Sequence, residues 1–173
     1  CNHINLPEKY DLNFLYHHIK QWPELSIVVE TYDKEMIGYA LGKLEYPPLD
    51  TSIPINYNSN DYNKQFNDFH GHITSIAINK QFRNQGIAKQ LLHSLHYQLA
   101  TIHKVDVVSL KCRVSNKAAI SLYTESFPYN LVRKINNYYD DLEDAWHVSL
   151  HGLQQLVKHE RYNNLIPILL KSQ

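Results

Sequence analysis

Cysteine is scarce in this chain. Two in 173 residues, Cys1 and Cys112, are too few for a disulfide framework, and a reducing compartment is the default for such usage. An excess of either charge is also missing: Lys+Arg and Asp+Glu both number 17. The electrostatic footprint of a nucleic-acid or anionic-membrane binder is therefore absent. No apolar run approaches the ~20 residues that span a bilayer. No signal peptide and no internal repeat is visible. Neither Gly-Lys-Ser/Thr after a glycine loop nor Gly-x-Gly-x-x-Gly occurs, which removes the Walker P-loop and the dinucleotide fingerprint. His70 and His72 alternate along a strand as two metal ligands do, but no third or fourth ligand stands at a recognisable spacing, so no metal is expected. What is present, 43% hydrophobic and 20% charged residues, suits one globular domain with a sizeable core.

The most informative stretch is 70–88, HGHITSIAINKQFRNQGIA. Ile73, Ile76, Ala77 and Ile78 read as a buried strand. A short polar connection leads to Gly86, which opens a long amphipathic helix carrying Ala88, Leu91, Leu92, Leu95, Leu99 and Ile102 on one face. Helix N-termini present unpaired N–H groups and a positive dipole end. Gly86 lets the backbone close on an anion, Ala88 keeps the next turn clear, and Arg83 adds a forked cation suited to phosphate oxygens. The loop reads either as a pyrophosphate cradle or as an ordinary strand–loop–helix with a glycine turn.

Elsewhere, the sequence predicts a helix over about 11–22, with Leu12, Leu15, Ile19 and Trp22 on one face and Pro23 ending it. Phe14, Tyr16, His17 and His18 lie partly off that face. They are either surface aromatics or a second, partner-binding face. Strands are expected at 25–30 and 36–45, joined by a turn at Asp33–Lys34. Residues 46–69 show no periodicity and read as a long, mobile loop. A strand at 105–112 follows, then a helix opened by Ser115 as N-cap and running to about Glu125. Two strands, 131–139 and 145–150, flank a polar turn. A partly helical tail, 151–173, comes after the 1–150 domain. The alternation of helices and strands indicates an α/β or α+β mixed sheet.

Arg83-x-x-Gly86-x-Ala88 between a strand and a helix resembles the acetyl-CoA motif of the GNAT acetyltransferases. Six further segments resemble one branch of that superfamily, the catalytic subunits of NatA N-terminal acetyltransferases: LPEKY at 6–10, WPELS at 22–26, IGYALGKLE at 37–45, HGHITSIAI at 70–78, SLKCRVSNKAAISLY at 109–123 and YYDDLEDAW at 138–146. The likeness covers most of 2–150; the NatB type is the nearest sibling. The family fold is a mixed twisted sheet, splayed at its middle around acetyl-CoA and flanked by helices. It begins with a strand ahead of residue 1, so the first strand is expected to be missing here.

The resemblance also implies a site. Glu8, in the Leu6-Pro7-Glu8 segment, orients the substrate amine or takes its proton; otherwise it caps a helix. Tyr123 stands beside the CoA sulfur and serves the departing thiolate; otherwise it is a core aromatic. Acetyl-CoA is held by Ile76, Ala77 and Ile78, by Arg83, Asn84, Gln85, Gly86, Ile87 and Ala88, and by Asn116 and Tyr123. Peptide is bound by Leu6, Pro7, Glu8, Tyr10, Thr74, Tyr138 and Tyr139, the last two alternatively a plain strand pair. Departures from the family pattern are Lys111 for a histidine, Leu142 for a glycine, Trp146 for a tyrosine and Asn84 for an arginine. A large helical-repeat auxiliary subunit, the ribosome reached through it, and nascent chains are the implied partners. A cytoplasmic location follows from them. An inactive GNAT-fold binding subunit is the competing class.

Overall fold

The computed structural model describes residues 10–46, 69–159 and 162. The helix α1 (Leu12–Gln21) starts where Asp11 accepts a hydrogen bond from the Phe14 amide at 2.7 Å, an N-cap that satisfies one orphan donor. After a 3-10 turn at Pro23–Leu25 come β1 (Ser26–Glu30), β2 (Met36–Glu45) and β3 (His70–Ile78). The long helix α2 (Ile87–Thr101) then crosses to β4 (Val107–Arg113). Helix α3 (Lys117–Ser126), strands β5 (Asn130–Ile135) and β6 (Ala145–His151), and the short helix α4 (Leu153–Lys158) complete the described chain. The expected insertion at 46–69, but for its flanking residues, and the apolar patch at 165–170 lie outside the described residues.

The described strands form one mixed sheet in the order β1-β2-β3-β4-β6-β5. Only β3 and β4 run parallel, which requires the crossover that α2 supplies. Their pairing is short: Gly71, His72 and Ile73 face Val108, Ser109 and Leu110, and the pairing stops there. Beyond it, Thr74–Ile78 of β3 and 111–113 of β4 diverge, β4 staying paired with β6 throughout and β3 with β2. The splayed mixed sheet expected from the resemblance is thus present. A bulge in the β2–β3 register, where Leu41 faces Ser75 and Gly42 faces Ile73, leaves Thr74 without a partner on β2. The irregularity falls where the two central strands part.

The core forms between the sheet and α2, whose Leu91, Leu92, Leu95 and Leu99 are almost fully buried. Gly71 permits this closeness, since a Cβ there would lie 2.8 Å from the Leu99 side chain. A smaller cluster of Tyr39, Leu41 and Ala77 takes Leu15 of α1.

Four sequence expectations are corrected. Helix α1 does not turn Leu12 and Ile19 inward: they are 78% and 50% exposed, and His18 is its buried residue. His18 can occupy that place because its Nε2 is 2.8 Å from the Gly42 carbonyl, which satisfies a buried polar group. The N-cap of α3 is Asn116, not Ser115, with Asn116 Oδ1 accepting from the Ala119 amide at 3.1 Å. The strand expected over 131–139 ends at Ile135, so Tyr138 and Tyr139 sit in the turn that follows. Ile102, the C-cap of α2, is 54% exposed, whereas His93 and His96 within the helix are buried.

Candidate active site

Where β3 and β4 part, two grooves enter the molecule. The first, about 550 Å³, runs from the end of β3 along the 82–89 loop and the N-terminus of α2 to α3. Ile76, Ala77, Ile78, Arg83, Asn84, Gly86, Ile87, Ala88, Asn116 and Tyr123, to which the resemblance gives acetyl-CoA contacts, all line it. Gln85 does not; its side chain turns back to the Gln81 carbonyl at 3.4 Å. Gly86 is the N-cap of α2 with φ +79°, a conformation that favours glycine. A Cβ on it would meet nothing within 4 Å, and no side chain caps the helix, so the amides of its first turn open onto the groove. Asn84, at φ +60°, is the kind of residue that tolerates the left-handed region. Arg83 Nε donates to the Ile78 carbonyl at 3.1 Å, which ties the loop to the end of β3. A bare helix N-terminus, a cation and a groove leading into the split sheet fit a nucleotide-linked thioester such as acetyl-CoA.

The second groove, about 390 Å³, is lined by residues of β2, β3 and β4 together with the 138–139 turn. Tyr10, Phe14, Lys43, Glu45, His72, Thr74, Lys111, Cys112, Arg113, Tyr138 and Tyr139 are among its lining residues. Tyr10 donates its hydroxyl to the Thr74 carbonyl at 3.1 Å and stacks on Phe14. Thr74 Oγ1 is buried and has no hydrogen-bond partner among the described residues. A hydroxyl left unpaired at the base of an open cleft is a polar anchor for an entering molecule. Leu6, Pro7 and Glu8 lie outside the described residues, so the catalytic assignment of Glu8 rests on the sequence alone.

The 136–144 turn is held by charges that the sequence reading did not single out. Arg113 Nη1 reaches Asp141 Oδ2 at 2.8 Å and Glu143 Oε2 at 2.6 Å, and the guanidinium lies 4.0 Å from the Tyr139 ring centre. Hydrogen bonds from Ser115 and the Arg113 cation hold the Glu143 carboxyl down at about 2. The Glu143 carbonyl accepts the amides of Tyr138 and Tyr139, both at 3.1 Å. The two tyrosines thus face the groove because the turn beneath them is clamped. The signal was present in the acidic run YYDDLED, but its partner Arg113 lies 28 residues from Asp141 and is found only in three dimensions.

A second polar cluster lines the cleft beside β2. Glu45 is within reach of Lys43 at 2.7 Å, His70 at 3.3 Å and His72 at 3.6 Å. The His70 hydrogen bond, with Lys43, holds the Glu45 carboxyl far below the usual range. Burial pushes His72 down to about 3, so its imidazole is neutral, with Nδ1 at 3.1 Å from Ser109 Oγ. Burial also pushes the Cys112 thiol up to about 11, which makes it a poor nucleophile. Among the described residues, no group of three or more His, Cys, Asp and Glu side chains is placed to hold a metal ion.

Four residues line both grooves: Ile76, Asn116, Ala119 and Tyr123. Tyr123 is 4% exposed, and burial first, then Cys112 and Tyr139, raise its hydroxyl far above the ordinary phenol value. It is a neutral phenol, able to donate a proton where the two grooves meet.

The family model described as Acetyltransferase (GNAT) family matches residues 3–127. The N-terminal acetyltransferase A complex catalytic subunit NAA10 of Arabidopsis thaliana is 34% identical over 146 residues, covering 84% of this chain and 67% of that protein. The N-terminal acetyltransferase B complex catalytic subunit NAA20 of the same plant is 29% identical over 141 residues, covering 82% and 70%. Among solved structures, Chaetomium thermophilum Naa20 in complex with a bisubstrate analogue superposes with a TM-score of 0.68 at 26% identity, covering 88% of this chain and 78% of that one. With a splayed sheet, a glycine-capped helix and two grooves joined at Tyr123, the chain belongs to the GNAT acetyltransferase family, as an N-terminal acetyltransferase of the Naa10 and Naa20 kind.

Proposed function

We propose that the chain is the catalytic subunit of a NatA-type enzyme, moving acetyl from acetyl-CoA to the α-amine of nascent chains that begin with Ser, Ala, Thr or Gly. One observation carries the reading: the proposed cofactor groove and the proposed acceptor cleft share Ile76, Asn116, Ala119 and Tyr123 as lining residues, so they meet at Tyr123. Acetyl-CoA supplies the activated thioester. Chemistry favours an α-amine as acceptor, because its pKa of ~7.7–8.0 against ~10.4 for Lys makes its neutral fraction near pH 7 a few hundred times larger. A modest base then suffices, and Glu8 is the residue assigned to it. Tyr123, kept neutral by burial, donates to the sulfur as it leaves. Lys111, which stands where the resemblance implies a histidine, also lines the acceptor cleft.

The NatA type is supported by the higher identity to the plant NatA subunit than to its NatB counterpart, 34% against 29%. A NatB-type reading is favoured by one feature of the cleft: Lys43 and Lys111 both line it, and a carboxylate near the start of the peptide would meet them. Transfer assays on peptides beginning Ser, Ala, Met-Asp and Asp separate the two. The NatA reading expects Ser and Ala to be acetylated fastest; a preference for Met-Asp replaces it with the NatB reading.

The proposed partner is a large helical-repeat auxiliary subunit that docks the enzyme on the ribosome in the cytoplasm. Support comes from α1, where Leu12 and Tyr16 are 78% and 71% exposed on a helix whose other side already packs on the sheet. Structural relatives include the NatC complex bound to Gag peptide and CoA.

A further inference from the structure

Behind the active site lies a buried polar chain that touches neither groove. His96 of α2 is 0% exposed. Its Nδ1 is hydrogen-bonded to the Tyr162 hydroxyl, and its Nε2 is 2.7 Å from the Tyr129 hydroxyl. Tyr129 in turn sets its ring edge-on to Tyr123 at 5.6 Å, and its amide donates to the Tyr123 carbonyl at 3.4 Å. Phe127, between them in sequence, packs on His93 and His96 with ring centres at 5.1 and 5.3 Å. None of His96, Tyr129 and Tyr162 lines either groove.

Helix α3 depends on this cluster for its position. Tyr123, in its last turn, is its one buried residue. Its first turn carries the exposed residues Lys117 and Ala118. The end of α3 is therefore pinned by Phe127 and Tyr129, and they are pinned by His96. A neutral imidazole has one donor and one acceptor nitrogen. One phenol must give its proton to the ring while the other receives the ring N–H, so the chain closes only when both hydroxyls are present. Burial holds His96 down at about 3 and raises both phenols, which keeps all three groups in the required neutral state.

We infer that Tyr162, contributed by the segment after α4, is a positioning residue for Tyr123, acting through His96 and Tyr129. Tyr162, which packs in the main core and lines neither groove, thereby takes part in the reaction. Loss of the Tyr162 hydroxyl leaves a buried nitrogen of His96 unpaired. The ring relaxes toward Tyr129, and the displacement reaches the Tyr123 hydroxyl, where small misplacements cost rate steeply. The inference rests on the reading that Tyr123 serves the departing sulfur.

A double-mutant cycle tests it. Single-turnover transfer from bound acetyl-CoA to a Ser-initiated peptide is measured for wild type, Tyr162→Phe, Tyr123→Phe and the double variant, each normalised to folded protein by thermal melting. Tyr162→Phe is expected to slow transfer roughly tenfold, with peptide and acetyl-CoA affinities within about twofold of wild type, and to cause no further loss in the Tyr123→Phe background. Should Tyr162→Phe not fold, Tyr129→Phe removes the other hydroxyl from His96 and completes the same cycle. A wild-type rate in Tyr162→Phe, or the same fractional loss in both backgrounds, overturns the inference and leaves the role of Tyr123 standing. A wild-type rate in Tyr123→Phe is a different result: it removes the reading beneath the inference, and the inference with it.

Discussion

At the scale of single residues, three substitutions probe the site. Tyr123→Phe keeps the ring and removes the hydroxyl proposed as proton donor, so transfer should slow by roughly 100-fold or more with little change in peptide affinity. Stopped-flow transfer measurements together with peptide titration check this. Gly86→Val forces a β-branched residue to φ +79° and puts methyl groups where a phosphate would approach. Acetyl-CoA affinity measured by calorimetry should fall at least about tenfold, since each lost charge-assisted contact is worth ~1.5–3 kcal/mol. Leu142 sits at φ +65° and is 69% exposed, at a position where the resemblance implies a glycine. Leu142→Gly relieves a left-handed strain of about 1–2 kcal/mol and loses part of it to chain entropy. A melting temperature at or above wild type is expected; a clear drop would show that the turn needs the side chain. The 83–88 loop was legible in sequence because its chemistry is local: a cation, a glycine and a helix start within six residues. His18, His96 and the Arg113 clamp were not, because what makes each acceptable is a partner distant in the chain: the Gly42 carbonyl, two tyrosines, and Asp141 with Glu143.

At the scale of elements, strands with strong apolar patterns are legible in the sequence: the expected 36–45 coincides with β2, and the apolar run Ile73, Ile76, Ala77 and Ile78 lies within β3. Errors occurred where tertiary context decides. The apolar rows of α1 at spacings of three and four allow two inward faces. The sheet selects the one with Leu15 and His18, leaving Leu12, Tyr16 and Ile19 outside. Strand β5 stops at Ile135 because Asp144 Oδ1 takes the Asn137 amide at 2.9 Å and starts the turn that presents the two tyrosines. The splay itself has no sequence signature, since it is an absence of pairing. The outward row of α1 gives a prediction at this scale. Leu12→Glu with Tyr16→Glu should abolish co-purification with the proposed auxiliary subunit while acetyl-CoA still raises the melting temperature of the isolated chain. Phe14 is excluded from that test because it lines the acceptor cleft. Retained co-purification of the double variant would place the partner elsewhere.

At the scale of the whole molecule, buried neutral histidines tie stability to pH. In the unfolded chain a histidine binds its proton near 6.5, whereas His72 and His96 in the fold do so only near about 3. Between those values the unfolded state holds more protons, so stability is complete above pH ~6.5 and declines as pH falls toward 3. By pH 5.5 each costs on the order of 1 kcal/mol. The urea midpoint should therefore drop between pH 7.5 and 5.5, and an unchanged or higher midpoint would mean that these imidazoles are not held neutral.

The central claim, that the two grooves bring a thioester and a free α-amine together at Tyr123, is tested most directly by mass spectrometry of the product. A Ser-initiated peptide with an internal lysine is incubated with the chain and acetyl-CoA, beside the same peptide with its α-amine blocked. One acetyl group on the α-amine of the free peptide, and none on the blocked one, is the predicted result. Acetylation of the lysine in both peptides, or none in either while acetyl-CoA still binds, would contradict it.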